Sequence, residues 1–258
     1  MKAFLVQIDS VWENKTASFE RAQALLASTK IPPGSLIVLP EMFATGFSLQ
    51  LAATIDPAPS VTEKFLTAIA TTHRSTVVGG LVREGKYGKG RNEAVAISPD
   101  GATLARYCKM HPFTFGGESD RHEKGEGPVY FEWGGLMAAP FICYDLRFPE
   151  VFRRAAKQGA ELMIVIALWP TRRVQHWVTL LQARAIENQA WVIGVNRCGA
   201  EPELAYPGRS LVVNPHGETI TDAGGGEGLV SAEIDPQVVR NWRKDFPALN
   251  DMRKDLVP

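Results

Sequence analysis

The chain has 258 residues, 45% apolar and 22% charged, with 28 basic and 28 acidic side chains that cancel to a formal net charge of zero. That is an ordinary globular composition on a chain long enough to bury a large core. It offers no general field for nucleic acid or for an anionic membrane surface, and no apolar run approaches the roughly 20 residues of a membrane span.

Ala3 to Ile8 reads as a strand and lacks the long apolar region and cleavage signature of a signal peptide. Phe19, Ala22, Leu25 and Leu26 recur at helical spacing, with Asn14, Thr16 or Ser18 as candidate caps and Pro32-Pro33-Gly34 as the stop. Leu36 to Leu39 is fully apolar, as in a strand buried on both faces, and Glu41 follows it after Pro40. A helix is expected over Val61 to His73 and a strand over Thr76 to Val82, giving β-α-β-α-β so far. Arg83 to Arg91 is a Gly/Lys-rich turn. Ala94 to Ile97 and Thr103 to Tyr107 form a hairpin through Ser98-Pro99-Asp100-Gly101. Cys108 to Gly127 shows no periodicity, and a loop of that length inside a compact fold is expected to be functional or disordered.

Leu136 to Ile142 is the next strand. It runs into Cys143, and Pro149 then opens a helix over Glu150 to Gln158 with Gly159 as its stop. Leu162 to Leu168 is another buried strand, ending at Trp169-Pro170. A helix over Val174 to Gln189 and a strand over Trp191 to Val195 follow. Arg209 to Val213, Glu218 to Thr221 and Leu229 to Ile234 are late strands, and Pro236 to Lys244 is a short helix before a mixed-charge tail. No repeat or linker interrupts residues 1–258, so one α/β domain is expected, with two sheets between helix layers.

The pattern of strand, sharp turn and helix around Cys143 is that of a nucleophile elbow. A helix N-terminus nearby would favour thiolate; a buried structural cysteine is the competing reading. The three cysteines, Cys108, Cys143 and Cys198, form no CxxC pair, so neither a disulfide framework nor a zinc knuckle is indicated. A reducing, cytoplasmic setting is expected. Glu41 and Cys143 both follow apolar strands, whose carboxyl ends form the crevice of an open α/β sheet, and Lys109 ends the hairpin. Taken together, a carboxylate can accept the thiol proton and an ammonium can face an oxyanion, with the Tyr144 N–H as second donor. This chemistry needs no metal or cofactor.

Glu41 within LPEMFATGFS, Lys109 within YCKMHPF and Cys143 within FICYDLRFPE resemble the Glu-Lys-Cys triad of the nitrilase superfamily, the carbon–nitrogen hydrolases. The resemblance continues through LWPTRRVQHWVTLLQARAIENQAWVIGVNRCG and YPGRSLVVNPHGE, and is nearest to the ω-amidase branch. It implies a four-layer α-β-β-α sandwich that assembles as a homodimer or larger. It also implies hydrolysis of a small ω-amide, such as an α-keto acid monoamide, through a cysteine thioester. Nitrilase, carbamoylase or N-acyltransferase chemistry, or a non-catalytic binding protein, are the alternatives. A second family glutamate matches Glu118 best, ahead of Glu123 and Glu126. Arg91, Pro112 and Pro140 depart from the family pattern.

Arg147, Arg172 and Arg173 are candidates to hold a substrate carboxylate, though for Arg147 an internal salt bridge with Glu150 or another carboxylate is the favoured reading. Phe43, Phe115 and Trp169 are candidate pocket walls. His111 and His176 are expected to be structural hydrogen-bonders, and Arg184 to Asn188 a brace between helix and sheet. The expected partner is a small amide, with no nucleic acid and no membrane.

Overall fold

The computed structural model describes residues 1–253. The first part of the chain runs β1 (Lys2–Gln7), α1 (Lys15–Ala27), β2 (Leu36–Val38), α2 (Leu51–Thr54), β3 (Ile55–Asp56), α3 (Val61–His73), β4 (Thr76–Glu84), β5 (Gly90–Ile97) and β6 (Thr103–Cys108). The middle adds α4 (Glu118–Arg121), β7 (Phe131–Trp133), β8 (Leu136–Ile142), α5 (Pro149–Lys157), β9 (Leu162–Ala167), α6 (Val174–Asn188) and β10 (Trp191–Asn196). The last part is β11 (Cys198–Ala200), β12 (Ala205–Pro207), β13 (Leu211–Val213), β14 (Thr219–Asp222), β15 (Gly228–Glu233) and α7 (Pro236–Asp245).

Helix ends follow local chemistry. Asn14 accepts the Ala17 N–H at 3.1 Å and Ser60 accepts the Glu63 N–H at 3.0 Å, each supplying an acceptor to an orphan donor. Pro149 opens α5, and Asp235 with Pro236 opens α7. None of the described helices is long and apolar enough to cross a membrane.

Two sheets carry the fold. One has the order β15-β1-β2-β4-β5-β6, with β3 beside β4; the other has the order β14-β13-β10-β9-β8-β7. The central strands β1, β2 and β4 are parallel, as are β8, β9 and β10, while the flanking pairs are antiparallel. Side-chain alternation divides the first sheet into two faces. Phe4, Val6, Ile37, Val77, Val95 and Ile97 pack with Ala22 and Leu26 of α1 and Leu66 and Ile69 of α3. Their neighbours Ala3, Leu5, Leu36, Val38, Val78, Ala94 and Ala96 face the second sheet. The outer side of that second sheet is covered by Val151 and Phe152 of α5 and by Trp177, Leu181 and Ala185 of α6. The layers are therefore helix, sheet, sheet, helix. Many alanines on the central face let two sheets approach at a spacing of about 10 Å.

Two differences from the sequence reading have local causes. The short strands β7, β11 and β12 carry too few residues to show a period. Pro140 sits within β8, but β7 pairs only Leu136 to Ala138, so at Pro140 the strand has a ladder partner on one side only.

Candidate active site

Four strand ends deliver the site. Glu41 stands three residues past β2, Lys109 one past β6, Cys143 one past β8, and Leu168 and Trp169 follow β9. Alternation explains the aim of two of them. Asn92 shares parity with Ala94 and Ala96, and Lys109 with Ala105 and Tyr107, all on the face between the sheets. The Glu41 turn needs a glycine beneath it. A Cβ on Gly80 of β4 would lie 2.6 Å from both Glu41 Cα and Met42 N.

Glu41, Lys109 and Glu118 are all buried, at 0%, 1% and 0% exposure. The Lys109 ammonium donates to Glu41 Oε1 at 2.9 Å and to Glu118 Oε2 at 2.8 Å. Asn92 Nδ2 bridges the same two carboxylates, at 2.7 Å to Glu41 and 2.8 Å to Glu118. The Leu168 N–H donates to Glu41 Oε2 at 2.9 Å, and the Phe113 N–H to Glu118 Oε2 at 2.6 Å. Every carboxylate oxygen is therefore paired, which a buried charge requires. Burial pushes Glu118 up, but the ammonium and three hydrogen bonds outweigh it and hold the carboxyl below its usual range. Burial would lower Lys109, yet the two carboxylates raise it well above an ordinary lysine. The cluster thus keeps the Lys109 ammonium beside a charged Glu118.

Cys143 begins a 3-10 turn, Cys143–Arg147, with φ of 45°, a left-handed conformation that a non-glycine residue adopts at a cost of about 1–3 kcal/mol. Asp145 holds the turn. Its Oδ2 accepts from Tyr107 Oη at 2.7 Å and the Ile142 N–H at 3.1 Å, and its Oδ1 from the His111 N–H at 2.9 Å. His111 Nδ1 also lies 2.8 Å from Oδ1, and its ring stacks on Phe148. Arg184 Nη2 reaches Leu146 O at 2.7 Å, so the α6 brace grips the elbow itself. Burial first, then the charge of Glu41, pushes the Cys143 thiol well above its ordinary value, against the smaller pull of Lys109. The resting group is a thiol beside carboxylates, so its proton must be taken by a base.

Cys143 and Lys109 face a narrow chamber of about 30 Å³, walled by Phe47, Phe113, Tyr144, Leu168, Trp169 and Leu204, with Arg147 and Arg173 also on its lining. Trp169 is fixed by Asn196, which accepts its N–H at 2.7 Å and donates to its carbonyl at 3.0 Å. Arg147 lies over the Trp169 ring at 4.8 Å and 3.2 Å from His176; among the described residues it has no carboxylate partner, Glu150 included. Arg173 lies over the Phe113 ring at 5.3 Å, likewise without a carboxylate.

The chamber gathers Tyr144, Arg147, Trp169 and Arg173 as the sequence led us to expect, but not three others. Phe43 is wholly buried against Phe19 and Phe65 in the core between sheet and helices, because its side chain turns away from the strand ends. Phe115 is 81% exposed, on a 3-10 turn that presents Phe113 to the chamber in its place. Arg172 is exposed and lines a neighbouring cavity. Glu123 pairs with Arg91 at 3.0 Å, which leaves Glu118 as the second carboxylate on Lys109. Sequence reasoning missed Asn92, Asp145, Phe47 and Leu204. Two left a signal: Asn92 as an asparagine in a strand, where that residue is depleted, and Asp145 as the break in the apolar run at Cys143.

The family model for carbon–nitrogen hydrolases matches residues 2–244. The chain belongs to the carbon–nitrogen hydrolase family. This hydrolase is 36% identical over 222 residues to a 2-oxoglutaramate amidase of Bacillus subtilis, covering 86% of each chain. It is 36% identical over 259 residues to the omega-amidase YafV of Yersinia enterocolitica, covering 100% of this chain and 98% of the other. Its fold is similar to that of a CN-hydrolase superfamily protein of Xanthomonas campestris with an arsenic adduct in its active site, with a TM-score of 0.92 and 31% identity over 98% of this chain and 97% of that one. A variant of the amidase of Nesterenkonia sp. AN1, with acrylamide added at the active-site cysteine, superposes with a TM-score of 0.81 at 26% identity, over 96% of this chain and 98% of that one.

Proposed function

We propose that this hydrolase is an ω-amidase, cleaving a small α-keto acid monoamide such as 2-oxoglutaramate or 2-oxosuccinamate to acid and ammonia. Glu41 is the base, Cys143 the nucleophile, Lys109 the oxyanion donor and Glu118 the group that orients Lys109. The observation that carries this reading is the Lys109 ammonium held between two buried carboxylates on the chamber that Cys143 faces.

In the first half-reaction the Cys143 proton passes to Glu41, and sulfur attacks the amide carbon. The oxyanion meets Lys109 Nζ and the Tyr144 N–H, and one well-placed donor of this kind is worth about 2.7–4 kcal/mol. Collapse breaks the C–N bond as Glu41 returns the proton to nitrogen, and ammonia leaves a thioester. Water, deprotonated by Glu41, then attacks that thioester; the acid departs and sulfur regains its proton. The distal carboxylate of the substrate is matched to Arg147 or Arg173, both on the chamber and both lacking a carboxylate partner among the described residues. The names of the two relatives at 36% identity support this substrate class.

The same reading makes residues 1–258 one catalytic domain working in the cytoplasm as a homodimer or larger assembly. Three free cysteines accord with a reducing compartment. Ammonia release across a panel of ω-amides, neutral amides, nitriles and carbamoyl compounds tests the reading. Turnover of nitriles or carbamoyl compounds with none of amides would overturn it.

A further inference from the structure

We propose that Leu204, acting with Phe47 and Phe113, is the partition that limits how long an acyl chain the Cys143 chamber accepts. The proposal rests on the amidase reading for its substrate class, which it narrows to short-chain amides. Three observations carry it. The chamber is narrow, about 30 Å³. Beside it lies a second cavity of about 480 Å³, within the range of about 300–1,000 Å³ usual for small-molecule sites. Phe47, Phe113 and Leu204 border both spaces.

The three are not held alike. The Phe47 N–H is tied to Glu201 Oε2 at 3.3 Å, and the same carboxylate oxygen is ion-paired at 2.9 Å with Arg197, which is wholly buried. Phe113 is tied through its N–H to Glu118 and edge-on to the Tyr144 ring. Leu204 is half-buried on the short turn joining β11 to β12, where, among the described residues, its backbone pairs only with Glu201. It is therefore the member whose side chain can change size without disturbing a buried charge. Beyond it the outer cavity offers Trp12, Leu49 and Phe115 among the polar Ser48, Gln50, Arg172, Glu201 and Glu203. A chain passing the partition would meet these apolar side chains, so the excluded ligands are amides with a longer acyl group.

The test labels Cys143 in the intact protein with methyl, butyl and hexyl methanethiosulfonate, quantified by mass spectrometry of the Cys143 peptide. The ratio of rates within one protein cancels the reactivity of the thiol itself. The wild type is expected to react with the hexyl reagent at least about tenfold more slowly than with the methyl reagent. In Leu204→Ala that ratio should recover about tenfold or more, since each buried methylene contributes about fourfold. Leu204→Phe should extend the exclusion to the butyl reagent. Equal hexyl and methyl rates in the wild type, or an unchanged ratio in a folded Leu204→Ala protein, would overturn the proposal. Should Leu204→Ala fail to fold, an unchanged butyl ratio in Leu204→Phe overturns it instead. Labelling needs no turnover, so a protein that releases ammonia from no amide defeats the amidase reading and leaves this ratio readable.

Discussion

Glu118→Gln isolates what the second carboxylate does for the cluster. The substitution keeps shape and removes one charge. In the native protein Glu118 Oε2 accepts from Lys109 and from the Phe113 N–H, and Oε1 accepts from Asn92. A glutamine must turn its NH₂ toward one of these donors. Asn92 cannot rotate to help, because its amide nitrogen is also needed by Glu41 Oε1. Losing the charge-assisted bond to Lys109 costs about 1.5–3 kcal/mol, and one buried unpaired donor about 1–3 more. The expected loss is about 3–5 kcal/mol, or roughly 10 °C in Tm for a chain of this size. Thermal scans at fixed protein concentration measure it. The pH dependence supplies a second check. Because the folded pKa of Glu118 lies below its unfolded value, its stabilisation is complete above the unfolded pKa of about 4.3 and is lost as pH falls through the folded value. The gap between wild type and variant should be full at pH 7 and close in acid. A loss under about 1 kcal/mol, or a gap of constant size along the acid limb, would refute the assignment of Glu118 as a charged partner of Lys109.

Cys143→Ala should fold normally and release no ammonia, since it removes the nucleophile and little volume; measurable turnover by the folded variant would place the nucleophile elsewhere. Because burial and Glu41 hold the Cys143 thiol high, alkylation of the wild type by iodoacetamide should still be accelerating at about pH 9, above the free-thiol pKa of about 8.5. A plateau below pH 8 would contradict the thiol assignment. Glu41→Gln and Lys109→Met should each slow acylation by orders of magnitude in single-turnover assays; effects under about tenfold, or 1.4 kcal/mol, from both would move the site. Arg147→Met or Arg173→Met should raise KM for a carboxylate-bearing amide by about 2–5 kcal/mol of binding while sparing butyramide. Equal losses on both substrates would make that arginine structural.

Much of this protein was legible in its sequence, because apolar runs and their terminators are local. Leu36 to Val38 and Leu136 to Ile142 are strands at the expected places, α3 spans the expected Val61–His73, and the residues just past these strands reach one end of the sheets. That made Glu41 and Cys143 candidates for one crevice, and the resemblance to the carbon–nitrogen hydrolases added Lys109. What the sequence could not settle depends on contacts between distant segments. Phe43 and Phe47 lie four residues apart in one loop, yet one is core and the other faces Lys109 at 5.8 Å. Nothing in their type distinguishes them; the direction of the turn after Glu41 does, and Gly80 of another strand permits that turn. The state of Cys143 was decided in the same way. Sequence alone offered a helix terminus that would favour thiolate and a carboxylate that could take the thiol proton; desolvation and the Glu41 charge, which act through space, push the thiol up. Asn92 became part of the site only because two carboxylates from separate loops converge within hydrogen-bonding distance of one amide group. Local pattern determines which residues reach the crevice, and burial and charge across the assembled layers determine what each does there.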